Sequence, residues 1–110
     1  MNDKELGWLA GIFDGEGCLT VNHYAGDGHF EQWRATVAMS DEDVVRRFHM
    51  LIGIGTVRGP YIQTGAGRLP MWQWNIGRRE DILNFCASLS PMMGERRTAK
   101  MKDCLAYLVP

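Results

Sequence analysis

The sequence predicts an α+β fold, formed as a single domain over residues 1–110, in which a four-stranded antiparallel sheet carries helices on one face. Three observations carry that expectation. Apolar residues recur at helical spacing in some segments and at every second position in others. The segments follow the order helix, strand, strand, helix, strand, strand, helix, helix. The two strand pairs read as hairpins, and every strand has one apolar and one polar side, so helices can cover only one face of the sheet.

Each element has its own signals. Asn2 or Asp3 suits the N-cap of a helix through KELGWLAGIFD, which Gly15 and Gly17 should end. From Cys18 to Tyr24, residues Leu19, Val21 and His23 alternate with Thr20, Asn22 and Tyr24. AGDGH (25–29) reads as a turn. From Gln32 to Met39, residues Trp33, Ala35, Val37 and Met39 alternate with Gln32, Arg34 and Thr36. Ser40 is expected to cap the second helix, whose acidic start (SDED) suits the helix dipole. Val44, Val45, Phe48, Leu51 and Ile52 form its apolar stripe, and Gly53 and Gly55 stop it. Strands are expected over Thr56–Gln63 and over MWQWNI, joined by TGAGRLP. A third helix fits Glu80–Leu89, Pro91 breaks it, and a last helix fits Met92–Leu108.

The composition, 45% hydrophobic and 23% charged, excludes disordered and collagen-like chains. No apolar run is long enough to span a bilayer, so no membrane partner is expected. The start, MNDKELGW, lacks the basic-then-apolar pattern of an export signal. The expected location is intracellular, in the cytoplasm, and the short form leans toward a bacterial or phage source. Cys18, Cys86 and Cys104 have no metal-type spacing and read as reduced thiols.

A net charge of −1 argues against a nucleic-acid partner, but its distribution does not. Residues 53–79 carry Arg58, Arg68, Arg78 and Arg79 and no acid, while the acids gather at Asp3–Glu16, Asp41–Asp43 and Glu80–Asp81. The polar sides of the strands would together present Thr20, Asn22, Tyr24, Gln32, Arg34, Thr36, Arg58, Gln63, Gln73 and Asn75, with Arg68 in the adjoining loop. Such a face is either plainly solvated or fitted to the edges of bases in a DNA major groove.

The most specific segment is Leu9-Ala10-Gly11-Ile12-Phe13-Asp14-Gly15-Glu16-Gly17. Gly11 inside a helix costs about 1 kcal/mol relative to alanine, which points to a use. Gly7, Ala10, Gly11 and Asp14 fall on one stripe, along which a second copy of the helix could approach closely. Two-fold pairing there would bring Glu16 beside its mate. Adjacent carboxylates repel unless a proton or cation lies between them, and Mg²⁺ prefers oxygen ligands of this kind.

These nine residues resemble the LAGLIDADG motif of homing endonucleases, matching it outright at Leu9, Ala10, Gly11, Asp14 and Gly17. Gly53-Ile54-Gly55-Thr56-Val57 resembles the family's G-x-G-x-V entry to the third strand, and Leu89-Ser90-Pro91-Met92-Met93 with Arg96 resembles its L-x-P-x-L-x-x-K segment. The resemblance extends over nearly the whole chain and implies the αββαββα LAGLIDADG fold, a homodimer paired through the motif helix. It implies Glu16 and the Gly15 carbonyl as ligands of Mg²⁺ (Mn²⁺ or Ca²⁺ could occupy the same site), with Arg96 near the scissile phosphate. Asp14 is read as structural. The polar residue that orders solvent in the family falls at Met39, a departure that leaves that role to Ser40 or Gln73 or unfilled.

The implied activity is metal-dependent hydrolysis of phosphodiester bonds in a long pseudo-palindromic double-stranded DNA target, leaving 3′ overhangs, in intron or intein homing. Strand length suggests a footprint of about 14 to 22 base pairs for two subunits. Two alternatives stand beside it. One is a non-cleaving relative, either an RNA maturase or a DNA-binding regulator. The other is a protein-interaction dimer that uses the Trp-rich strand.

Overall fold

A computed structural model describes residues 1–26 and 30–109. The elements are α1 (Asp3–Glu16), β1 (Gly17–Tyr24), β2 (Phe30–Met39), α2 (Glu42–Ile52), β3 (Thr56–Tyr61), β4 (Met71–Ile76), α3 (Arg79–Leu89), a 3-10 turn (Ser90–Met92) and α4 (Glu95–Leu108). The four strands form one sheet in the order β1-β2-β4-β3, antiparallel at every pairing. The expected fold class and element order are therefore what the chain adopts. Among the described residues, no helix is long and apolar enough to cross a membrane.

Asn2 caps α1 with a capping box: its side chain accepts from the Glu5 N–H at 2.8 Å, and Glu5 Oε1 accepts from the Asn2 N–H at 3.0 Å. α1 does not stop at Asp14. It runs through Gly15 and Glu16, and the Gly17 N–H still bonds to Phe13 O. Glycine is a poor helix former, but its roughly 1 kcal/mol cost is smaller than the packing that orders this last turn. At Gly17 the constraint is close approach: a Cβ there would lie 2.3 Å from Phe13 Cδ2 and 2.6 Å from Phe13 O.

Other boundaries also differ from expectation. Asp41, not Ser40, is the N-cap of α2, where backbone bonds from Val44 and Val45 to Asp41 O start the helix. β2 begins two residues early, at Phe30. β3 ends at Tyr61, because its register with β4 shifts between Arg58 and Tyr61, so Gln63 lies in the loop. The last helix starts at Glu95 rather than Met92, because Ser90–Met92 form a separate 3-10 turn around Pro91. In the expected turn at 25–29, residues 27–29 lie outside the described residues.

The core lies between the apolar side of the sheet and the helices. Leu19, Trp33, Ala35, Val37, Trp74 and Ile76 from the strands meet Leu9, Phe13, Val45, Phe48, Ile82, Phe85, Leu89 and Met101 from the helices. Trp74 sits at its centre with no exposed surface. Its ring lies 4.7 Å from Phe48 and 5.5 Å from Phe85, and its Nε1–H donates to Ile54 O at 2.9 Å. Gly55, at φ +90°, lies under this indole: a Cβ there would come within 2.7 Å of the Trp74 Nε1. Cys86 and Cys104 are buried and unbridged, and Cys18 is exposed. A contact with Cys86 and burial together raise Cys104 above the ordinary thiol range, keeping it protonated.

Candidate functional site

The strand register assembles the polar side of the sheet. Cys18 stands opposite Thr36, Thr36 opposite Asn75, and Asn75 opposite Thr56, so one row crosses all four strands. Thr20 faces Arg34, Asn22 faces Gln32, and Gln73 lies between Ala38 and Arg58. Side chains link these rows. Arg34 Nη1 donates to Asn75 Oδ1 at 3.5 Å, Asn75 Nδ2 donates to Thr56 Oγ1 at 3.3 Å, and Tyr24 OH donates to Gln32 Oε1 at 3.2 Å. Thr20, Asn22, Tyr24, Arg34 and Arg58 are exposed, while Gln32, Thr36, Gln73 and Asn75 are half-buried. No carboxylate occupies these positions; Glu31, the acid of β2, turns the other way toward His23 and the Trp33 indole. Gln63 and Arg68 form their own pair in the β3–β4 loop, at 3.1 Å.

One end of this face meets the end of the motif helix. Glu16 is the last residue of α1 and is exposed, so the helix runs past Gly15, its expected end, and stops at Gly17. Two residues earlier, Asp14 meets the start of α4. Asp14 Oδ1 accepts from the Gly94 N–H at 3.3 Å and lies 3.6 Å from Arg97 Nε, and Arg97 Nη2 donates to Asp14 O at 3.3 Å. The Arg97 guanidinium also lies over the Phe13 ring, 5.2 Å from its centre. Thus Asp14 and Arg97 tie the two helices together, and Arg96, exposed in the first turn of α4, is held beside the start of β1.

A cleft of about 230 Å³ opens there, lined by Gly17, Cys18, Leu19, Thr20, Arg96, Arg97 and Lys100. No acid lines it. The sequence does not single out Lys100. Its available signal was its place one turn after Arg96 in an amphipathic helix, which puts both cations on one side.

Oxygen chemistry at the foot of α1 fits a hard divalent cation. Glu16 supplies an exposed carboxylate with no ion pair among the described residues, and Gly15 belongs to the last helical turn, whose carbonyls lack intrahelical partners. Among the described residues, no three His, Cys, Asp or Glu side chains converge, so one chain offers an incomplete ligand set. Met39 ends β2 opposite Trp72 and packs against the core, supplying no polar atom. Of its expected substitutes, Ser40 follows the strand and Gln73 stands on the polar face.

Along α1, Gly7, Gly11, Asp14 and Gly15 are exposed, and a Cβ at Gly7, Gly11 or Gly15 would meet nothing within 4 Å. Ala10 is the exception in the expected stripe. It is 4% exposed and packs into the core of its own chain, because it falls on the same side of α1 as Phe13, three residues on.

No family model matches the chain, and no curated protein matches it. Solved structures do. The homing endonuclease I-CvuI, solved with its target in the presence of Ca, is 20% identical at a TM-score of 0.74, covering 97% of this chain and 69% of its own. The group I intron-encoded homing endonuclease I-CeuI, complexed with DNA, is 14% identical at 0.73, covering 97% of this chain and 55% of its own. The LAGLIDADG meganuclease I-AabMI, bound to uncleaved DNA, is 15% identical at 0.68, covering 93% of this chain and 34% of its own. The framework that holds Glu16, Arg96 and the polar sheet face is thus the fold of the LAGLIDADG homing endonucleases.

Proposed function

We propose that the chain is a site-specific DNA endonuclease that works as a homodimer on a pseudo-palindromic duplex. The observation that carries this reading is a single juxtaposition: an acid-free polar sheet face begins at Gly17, directly after the exposed carboxylate Glu16, and Gly17 lines a cleft with Arg96. The face offers donors and acceptors in rows that match the hydrogen-bonding edges of a major groove. The solved neighbours bound to DNA support the same use of the fold.

Each subunit would read one half-site with Thr20, Asn22, Tyr24, Gln32, Arg34, Thr36, Arg58, Gln73 and Asn75, and with Gln63 and Arg68 from the loop. A second copy would pair along Gly7, Gly11 and Asp14, bringing two Glu16 side chains to the two-fold axis. Glu16 and the Gly15 carbonyl would hold Mg²⁺, and solved neighbours with Ca or Mg support a divalent ion. A cation bound there supplies Lewis-acid polarisation and a lowered water pKa. Arg96 offsets charge that develops on the scissile phosphate. Staggered cuts leaving 3′ overhangs and a role in intron or intein homing belong to the same proposal.

A second reading, a non-cleaving DNA-binding relative, is favoured by Met39, which is apolar where the family orders solvent. One experiment separates the two. Native protein and Glu16→Gln are compared on a target selected from a randomised library, with Mg²⁺ or EDTA. An endonuclease loses cleavage by several orders of magnitude in the variant while keeping its gel shift. Binding by the native chain with no cleavage in Mg²⁺ or Mn²⁺ supports the second reading, and cleavage by Glu16→Gln at the native rate overturns the site.

A further inference from the structure

The cleft between α4 and β1 has more positive charge than one scissile phosphate requires. Arg97 is engaged by Asp14 and Phe13. Arg96 and Lys100 are not: among the described residues neither has an ion pair or a side-chain hydrogen bond, and both are exposed on the same side of α4. Both line the cleft beside Gly17, Cys18 and Thr20, at the start of β1, which follows directly on Glu16 in the chain. The side chains of residues one helical turn apart stand about 5–6 Å apart at their Cβ atoms. Successive phosphates of one DNA strand are spaced on a similar scale, so a single strand passing along the cleft meets the two cations in turn.

We propose that Lys100 is a backbone-phosphate ligand: with Arg96 it clamps two neighbouring phosphates of one DNA strand, and so sets how that strand lies against Glu16. This rests on the DNA-binding reading above. An ammonium on a flexible stem suits the role, because it contacts a phosphate as a point charge without demanding base identity.

The test is the salt dependence of binding to a duplex longer than the footprint, followed by fluorescence anisotropy in EDTA. In Lys100→Met, the slope of log affinity against log salt should become shallower by about 0.9 for each phosphate that is no longer neutralised. Lys100→Arg should restore the native slope. Lys102→Met is the control; Lys102 lies beside Ser90, Pro91 and Met93, in a groove away from the cleft, and its replacement should leave the slope unchanged. Melting temperatures confirm that each variant is folded. A native slope in Lys100→Met, or an equal change in Lys102→Met, overturns the clamp while the DNA-binding reading stands. A native chain that retains no duplex at low salt overturns both.

Discussion

Asp14 and Arg97 are joined twice across the α1–α4 junction, once through the carboxylate, 3.6 Å from Nε, and once through the Asp14 carbonyl, which accepts from Nη2 at 3.3 Å. The arginine side chain is 15% exposed, so the contact is partly shielded from solvent. Arg97→Ala should cost about 1–2 kcal/mol, because the ion pair with Asp14, the hydrogen bond to its carbonyl and the stacking on Phe13 disappear together. Arg97→Lys should recover only part of this, because an ammonium cannot serve both oxygens with the planar fork. Urea midpoints measure the difference; full stability in Arg97→Ala would show that the junction is held elsewhere.

Gly15 and Gly17 should respond to alanine with opposite signs. At Gly17 the new Cβ would overlap Phe13, so Gly17→Ala should destabilise by about 1–3 kcal/mol. At Gly15 the Cβ would meet nothing within 4 Å in a helical backbone, so Gly15→Ala should stabilise the chain by about 0.4–1 kcal/mol. Thermal melts of the two variants check the pair. Loss of stability at Gly15 would contradict the helical ending of α1.

Gly11 is open within its own chain, so a leucine there should fold normally as a monomer. In the proposed dimer the same side chain would enter the helix pair, at a cost of about 1–3 kcal/mol per site. Sedimentation should therefore show a folded monomer for Gly11→Leu and a dimer for the native chain. A dimeric, active Gly11→Leu variant would rule out pairing through this stripe.

Arginines on the two sides of the sheet should behave differently. Arg34→Ala or Arg58→Ala should cost about 1–3 kcal/mol of binding per half-site and relax preference at one base position. Arg46 is paired with Glu42 at 2.7 Å on α2, and Arg47 lies over the Trp8 ring at 4.3 Å. Replacing Arg46 should change neither binding nor specificity, and replacing Arg47 should cost about 0.5–1 kcal/mol of stability by removing the cation–π interaction. Equal binding losses at all four positions would mean that only the overall field matters.

Periodicity made most of the framework legible. The alternation in MWQWNI located β4 to the residue, and the acidic start and apolar stripe placed α2 within one residue. What periodicity could not show was decided by contacts distant in sequence. Gly15 and Glu16 are helical although glycine argues against it, because Phe13 and the neighbouring α4 organise that turn. Ala10 looks interchangeable with glycine in a stripe of small residues, yet it shares the buried side of α1 with Leu9 and Phe13. The sheet register that joins Arg34 to Asn75 couples positions 41 residues apart, beyond the reach of any local pattern. Lys100 belongs to the site only because α4 lies along β1.

The division of the sheet into two sides also bears on how such a protein changes over evolutionary time. Thr20, Asn22, Arg34 and Arg58 are exposed and take no part in the cluster formed by Trp74, Phe48 and Phe85. Substitutions at surface positions of this kind usually alter stability by no more than about 0.5 kcal/mol. A lineage can therefore wander through different side chains on that surface, and under the proposed function through different DNA addresses, while its scaffold remains foldable at every step. Leu9, Phe13 and Gly17 have no such latitude, since contacts within the chain fix them.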